Sequence, residues 1–402
     1  MPDMPVTTVD GISLNAPSSS AYFDVGQSRS QATNFGILST YPPTACGLAT
    51  FSAALADGLS ANGASVGVVR ISDGSSSCDS RVIGELRNSS ARSVAATSEL
   101  LNRSDVAVIQ HEYGIYGGVD GDEVVEIISR LEVPCIVVAH TVLTHPSPHQ
   151  RAVLEAVAAM AAQVIVMSEA ANDRLCSRYD VDGEKVSTIA HGATIPRHAP
   201  VRGAGRPTLL TWGLLGPGKG VERVIDAMVS LRDLPHRPRY LVAGQTHPKV
   251  LAADGEAYRV ARMEQAIGNG VADSVCFDPD YRTVASLNAL AQSAAAVVLP
   301  YDSTDQVTSG VLVDAIATGR PVVATAFPHA VELLASGAGI VVEHDDPGAL
   351  EVALRRVVTE ERLAGSMAAE ARRLAPSMAW SVVATKYLNL ARRLITDRSA
   401  LV

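Results

Sequence analysis

The sequence predicts an α/β protein made of two doubly wound parallel-sheet domains, and three observations carry that prediction. Short runs of β-branched and apolar residues recur along the chain. Alanine- and leucine-rich stretches of helical length separate them. The pattern halts at a Pro/Gly-rich break and then starts again. Strands of a parallel sheet are covered on both faces by crossover helices, so they read as continuous apolar runs. A chain of 402 residues also exceeds what one ordinary core fills, which makes two domains the natural expectation.

Taken in order, residues 1–31 are rich in Ser, Asp, Gly and Pro without apolar periodicity and read as a flexible tail. A first domain, 32–200, follows. Its strands are expected at 34–39, 65–71, 106–110, 135–139 and 164–167, with helices at 50–62 and 151–162 among the connections. Residues 196–207, with Pro200, Gly203 and Gly205, read as a linker. A second domain, 206–379, restarts the pattern with strands at 208–212, 240–243, 295–299 and 321–325, and with helices such as 221–232 and 284–292. Open sheets of this kind bind ligands beyond the carboxyl ends of their strands, so two facing domains imply a cleft between them.

Composition narrows the function. The chain is 47% apolar and 19% charged, which is a globular balance. Its net charge of −9 opposes a phosphate backbone, and no nucleic-acid partner is expected. The longest apolar candidate, 152–167, is broken by Glu155 and Gln163, so no integral membrane segment is expected. With no basic-then-apolar leader and five scattered cysteines lacking a Cys-x-x-Cys pair, a cytoplasmic location with reduced thiols is the expectation. Self-association is left open.

Three turns and a group of strand ends could hold chemistry. The turn 41–50 puts Gly47 before a helix, where free N–H groups meet the positive end of the helix dipole. A tight strand-to-helix connection accounts for it equally well. In Trp212-Gly-Leu-Leu-Gly-Pro-Gly-Lys-Gly220, glycines including Gly218 allow close backbone approach, and Lys219 supplies a point charge. The turn lacks both the Gly-Lys-Ser/Thr ending of a Walker loop and the Gly-x-Gly-x-x-Gly spacing of a dinucleotide site. The segment 300–315 places Ser309 and Gly310 at an expected helix start, with Asp314 a little over one turn on. There a phosphate cradle and a ribose-binding carboxylate compete with an N-cap and a solvated helix face. His140 ends one apolar strand, and His111 and Glu112 end another, placing polar groups over the expected cleft. Asp278-Pro-Asp280 reads as a proline turn, and no metal site is expected.

Together these pieces resemble the GT-B glycosyltransferases, specifically the retaining family four, over nearly the whole chain from residue 34 to 393. The matching residues are Pro42-Pro43…Cys46-Gly47-Leu48-Ala49, the strand ending at His140, Gly216–Gly220 with Lys219, and Ser309-Gly310-Val311-Leu312-Val313-Asp314-Ala315…Gly319-Arg320-Pro321. Residues 380–402 resemble the terminal helix that crosses back onto the first domain. The resemblance implies two Rossmann-like domains around a cleft. It implies that Lys219 binds the donor diphosphate with help from the Gly310 and Val311 amides, that Asp314 holds the ribose, and that His140 contacts the donor sugar. Glu332 falls in a region that lines the same cleft, and His111, Glu112 and Tyr113 fall on the acceptor side. Two positions depart from the family pattern. Gln306 stands where the first acid of the Glu-x7-Glu motif is expected, and Leu214 where an arginine is usual. The Gly-Leu-Leu-x-Pro-Gly-Lys-Gly style, Gly244-Gln-Thr-His-Pro248 and His111-Glu-Tyr-Gly114 are similar to a bacterial subset associated with mannosyl transfer and polysaccharide biosynthesis.

The resulting expectation is a retaining, cofactor-free and metal-independent hexosyltransferase. A nucleotide-diphosphate sugar is its donor, with a lean to GDP-mannose, and a saccharide is its acceptor. Catalytic roles fall to His140, Lys219 and Gln306. Two other readings are kept: a nucleotide-sugar epimerase of the same shape, and a non-catalytic nucleotide-sugar-binding protein, which the Gln306 and Leu214 departures favour.

Overall fold

A computed structural model describes residues 32–197 and 205–400. The expected tail at 1–31 and the middle of the expected linker, 198–204, lie outside the described residues. Seven strands make the first sheet: β1 Asn34–Ser39, β2 Ser65–Ile71, β3 Val82–Leu86, β4 Val106–His111, β5 Cys135–Ala139, β6 Gln163–Val166 and β7 Val186–Thr188. Six make the second: β8 Thr208–Trp212, β9 Arg239–Ala243, β10 Val275–Asp278, β11 Ala296–Leu299, β12 Val322–Thr325 and β13 Gly339–Val342. All ladders are parallel, in the orders β3-β2-β1-β4-β5-β6-β7 and β10-β9-β8-β11-β12-β13.

The apolar runs become strands because both faces are covered. Along β1, Ile37 enters one apolar cluster and Leu38 the other, and along β4 Val108 and Ile109 divide in the same way. The second sheet repeats this, with Leu209 and Leu210 on opposite sides. The four strands absent from the sequence expectation, β3, β7, β10 and β13, are the four sheet edges. They are short or half-exposed; β3 alternates rather than staying buried, so they lack the continuous apolar signal of the central strands.

Helix limits shift where a cap extends the helix. The helix Pro148–Met160 begins three residues before its expected start, because Ser147 and Gln150 form a capping box with Pro148 at the first turn. Gly47–Ala61 likewise starts early, the Cys46 thiol accepting from the Ala49 amide. The terminal helix Trp380–Ser399 lies on the first lobe, beside Gly47–Ala61. There Val383, Ala384, Tyr387 and Leu388 join the cluster that contains Phe35 and Ile37. It is anchored by the Ala193 amide donating to Met378 O at 2.7 Å.

Each sheet reverses its winding once, between β1 and β4 in the first and between β8 and β11 in the second. Strand order diverges there and leaves a crevice at the carboxyl ends. The turn carrying Gly47 follows β1, and His111–Tyr113 end or follow β4. The 213–220 turn follows β8, and 300–309 follows β11. The topology gathers the candidate motifs at the two switch points.

Candidate active site

On the second lobe, the turn after β8 folds against the end of β11. Gly220 has φ 63°, and a β-carbon on it would stand 1.7 Å from the Pro300 carbonyl oxygen. Only glycine permits that approach. The Asp302 amide donates to Gly218 O at 3.0 Å and ties the turn down. Lys219 then lays its ammonium over the Tyr301 ring, 4.4 Å from the centroid, and Tyr301 stacks on Phe327. Among the described residues no carboxylate pairs with Lys219.

The helix Gly310–Ala317 starts beside this turn, with Val311 Cγ2 3.9 Å from the position a β-carbon on Gly213 would take. Ser309 is partly engaged: its own amide donates to His329 Nδ1 at 2.9 Å, while its hydroxyl accepts from the Leu312 amide and keeps its O–H to donate. The Gly310 and Val311 amides, by contrast, have no acceptor among the described residues. Asp314, one turn on, makes no hydrogen bond or ion pair with the described protein, and burial pushes its carboxyl up to about 7. A desolvated, unpaired carboxylate of this kind is suited to accept from hydroxyls.

Gln306 and Glu332 both make contacts within the protein. The Gln306 side-chain amide donates to Thr308 O at 3.0 Å, bracing its own loop. Glu332 accepts the Glu169 and Ala170 amides, each at 3.0 Å, on its two carboxylate oxygens. It caps the first-lobe helix Glu169–Arg178 and so joins the lobes. The same junction holds Arg174 against Asp305 at 2.7 Å, and the Ser168 hydroxyl donates to Val307 O at 2.6 Å. Val307 is buried in the first lobe's core.

On the first lobe, His140 Nε2 lies 2.6 Å from Gln110 Oε1, and its ring meets Phe51 edge-on at 4.9 Å. Burial drives its imidazole down to about 3, with neighbouring His191 and His111 adding to the effect, so the ring is neutral at ordinary pH. His111 is 1% exposed and packs edge-on to Tyr113 at 5.1 Å. It therefore supports Tyr113 and presents no surface to an acceptor. Glu112 is half-buried and accepts from the Thr141 hydroxyl; burial raises its pKa, while the charge of Lys249 acts the other way. Lys249 comes from the second lobe. Its ammonium stands 3.4 Å from where a β-carbon on Gly114 would lie. Gly47 starts its helix with open space around it.

Four residues outside the sequence expectation shape the site. Arg70, fully buried, donates to Tyr41 O, Thr44 Oγ1 and Glu85 Oε1 and so fixes the loop before Gly47. An arginine inside the apolar run 65–71 is the signal that points to it. Lys249 directly follows the Gly244–Pro248 segment and is one of only four lysines. His191 and His329 carry no such signal; His191 follows the unrecognised edge strand β7.

These features define a class: two parallel-sheet, Rossmann-like lobes with a crossover terminal helix, which is the GT-B fold. Residues 206–360, within the second lobe, match the family model Glycosyl transferases group 1. The chain is 28% identical over 283 residues to a D-inositol 3-phosphate glycosyltransferase of Salinispora arenicola. That match covers 62% of this chain and 61% of the relative, so the chain spans about three-fifths of the curated relative it matches. Among solved structures, a sucrose-phosphate synthase of Thermosynechococcus elongatus aligns with TM-score 0.73 at 16% identity, covering 91% of this chain and all of that one. HepE of Anabaena, solved in complex with UDP and glucose, aligns with TM-score 0.69 at 15% identity, covering 90% of this chain and 100% of its own.

Proposed function

We propose that the protein is a retaining glycosyltransferase that moves a hexosyl group from a nucleotide-diphosphate sugar to a saccharide acceptor. The observation that carries this reading is the set of unspent groups at the β8 and β11 ends. These are the Lys219 ammonium with no carboxylate partner, the free Gly310 and Val311 amides, and the unpaired Asp314 carboxyl. The ammonium and amides suit a pyrophosphate, and the carboxylate suits the ribose hydroxyls.

In the proposed reaction the acceptor hydroxyl attacks the anomeric carbon from the face the diphosphate leaves. The acceptor oxygen bonds to that carbon, the carbon–phosphate-oxygen bond breaks, and the departing diphosphate takes the acceptor proton. Charge grows on the leaving group, where Lys219 and the amides stand, so the proposal assigns no metal ion or cofactor. His140 would contact the donor sugar, while Glu112 and Tyr113 face the acceptor. GDP-mannose is the donor proposed first, on the Gly-Leu-Leu-x-Pro-Gly-Lys-Gly resemblance, and polysaccharide assembly in the cytoplasm the setting. No helix among the described residues is long and apolar enough to cross a membrane.

Gln306 favours a second reading. A carboxamide where the resemblance expects an acid carries no charge to stabilise a developing oxocarbenium ion, which would suit a protein that binds a nucleotide sugar without transferring it. Thermal-shift screening against GDP, UDP and ADP sugars, with EDTA present, tests donor binding. Release of nucleoside diphosphate with a saccharide panel then separates transfer from binding. No stabilisation by any sugar nucleotide would refute both readings.

A further inference from the structure

His191 is a half-buried imidazole at the junction of the lobes that the proposed reaction leaves unused. Four segments enclose it. Its ring lies edge-on to Phe51 at 5.0 Å and tilted against Trp380 at 5.6 Å. The adjacent Gly192 carbonyl accepts from Nδ1 at 2.6 Å. A carbonyl cannot donate, so Nδ1 carries the hydrogen, and in the neutral ring Nε2 carries a lone pair. That Nε2 lies 2.9 Å from the place a β-carbon on Gly310 would occupy. Gly310 opens the helix whose first two amides have no acceptor.

The ring is neutral at ordinary pH. Burial holds His191 down at about 4, and the helix's amino end also disfavours a second proton. The titratable groups that interact with it are His140 from the end of β5 and His329 from the helix Pro328–Leu334; Asp314 lies one turn along the helix that Gly310 opens. Both histidines are driven low by burial, and no carboxylate forms a hydrogen bond or ion pair with His191 among the described residues. An anion on the Gly310 and Val311 amides reverses the balance, because a lone pair turned toward phosphate oxygens repels them while an N–H attracts them.

We propose that His191 is a further donor-binding residue: as the pyrophosphate of a nucleotide sugar settles on the Gly310 and Val311 amides, Nε2 takes one proton from solvent and hydrogen-bonds a phosphate oxygen. This rests on the donor reading above. Donor binding is thereby linked to proton uptake at the lobe junction, and Gly310 is required because a side chain there would displace the imidazole.

The test is titration calorimetry of the full chain with GDP-mannose, UDP-glucose and ADP-glucose, whose pyrophosphate diesters do not titrate near neutrality. Each titration is run in buffers of different ionisation enthalpy, which yields the protons taken up. Wild type should take up close to one proton more than His191→Asn at pH 7, and the ratio of their affinities should fall by up to tenfold per unit as pH rises. Asp314 contributes equally to both proteins and drops out of the difference. Should His191→Asn fold poorly, the ¹⁵N signal of Nε2 in wild type serves instead, moving from unprotonated to protonated on adding donor. Equal proton counts, or an Nε2 that stays unprotonated in the complex, overturn the inference. Absence of binding by all three sugars would instead overturn the donor reading.

Discussion

Replacing Lys219 with alanine separates a binding cation from a structural one. Its ammonium rests on the Tyr301 ring, 4.4 Å away, with no carboxylate partner among the described residues. A half-exposed contact of that type contributes about 0.5–1 kcal/mol. In lobes of this size that corresponds to a fall in Tm of only about 2–4 °C. A charge-assisted hydrogen bond to a pyrophosphate is worth about 1.5–3 kcal/mol, which weakens nucleoside diphosphate binding roughly 10- to 100-fold. Where charge develops on the leaving group, loss of one such contact costs on the order of 3 kcal/mol, or about 100-fold in turnover. Lys219→Ala should therefore melt almost as wild type yet bind the preferred nucleoside diphosphate far more weakly in calorimetry. Affinity within threefold of wild type refutes the assignment. A Tm loss beyond about 10 °C would show that the lysine holds the turn.

Other substitutions test the remaining assignments. Asp314→Asn should weaken nucleoside diphosphate binding and flatten its dependence on pH, since wild-type affinity should rise as the carboxyl ionises through about pH 7. The same raised pKa makes the folded protein bind a proton that the unfolded chain has already lost. Its contribution to stability is thus complete below pH 4 and fades as pH rises through 7, a slope that Asp314→Asn should remove in urea melts. Glu332→Ala should cost about 1 kcal/mol, seen as a lower urea midpoint, while leaving nucleotide affinity within twofold; a large loss of affinity would return Glu332 to the donor site. Gly220→Ala should destabilise by several kcal/mol, because its β-carbon would overlap the Pro300 carbonyl oxygen; a wild-type melting curve would contradict that packing.

What the sequence determined by itself was the periodic part of the molecule. The nine strands legible in it are the inner strands of the two sheets, whose residues are apolar on both faces. The turns carrying Gly47, Lys219 and Gly310 were legible as well, since glycine and a rare lysine at strand ends are local features. Tertiary structure decided what was not periodic. Edge strands β3, β7, β10 and β13 are recruited by a neighbour's backbone and need little apolar signal of their own. Contact partners distant in sequence decided which polar groups were free. The Ser309 amide is spent on His329 and the Glu332 carboxylate on the helix at Glu169, whereas Asp314 and the Gly310 amide are left open. His191 and Gly310 are more than a hundred residues apart, and only packing of the second lobe against the segment after β7 places that imidazole at the helix start. Hydrogen-bond saturation depends on three-dimensional neighbours, so a linear pattern names the candidates and the fold selects among them.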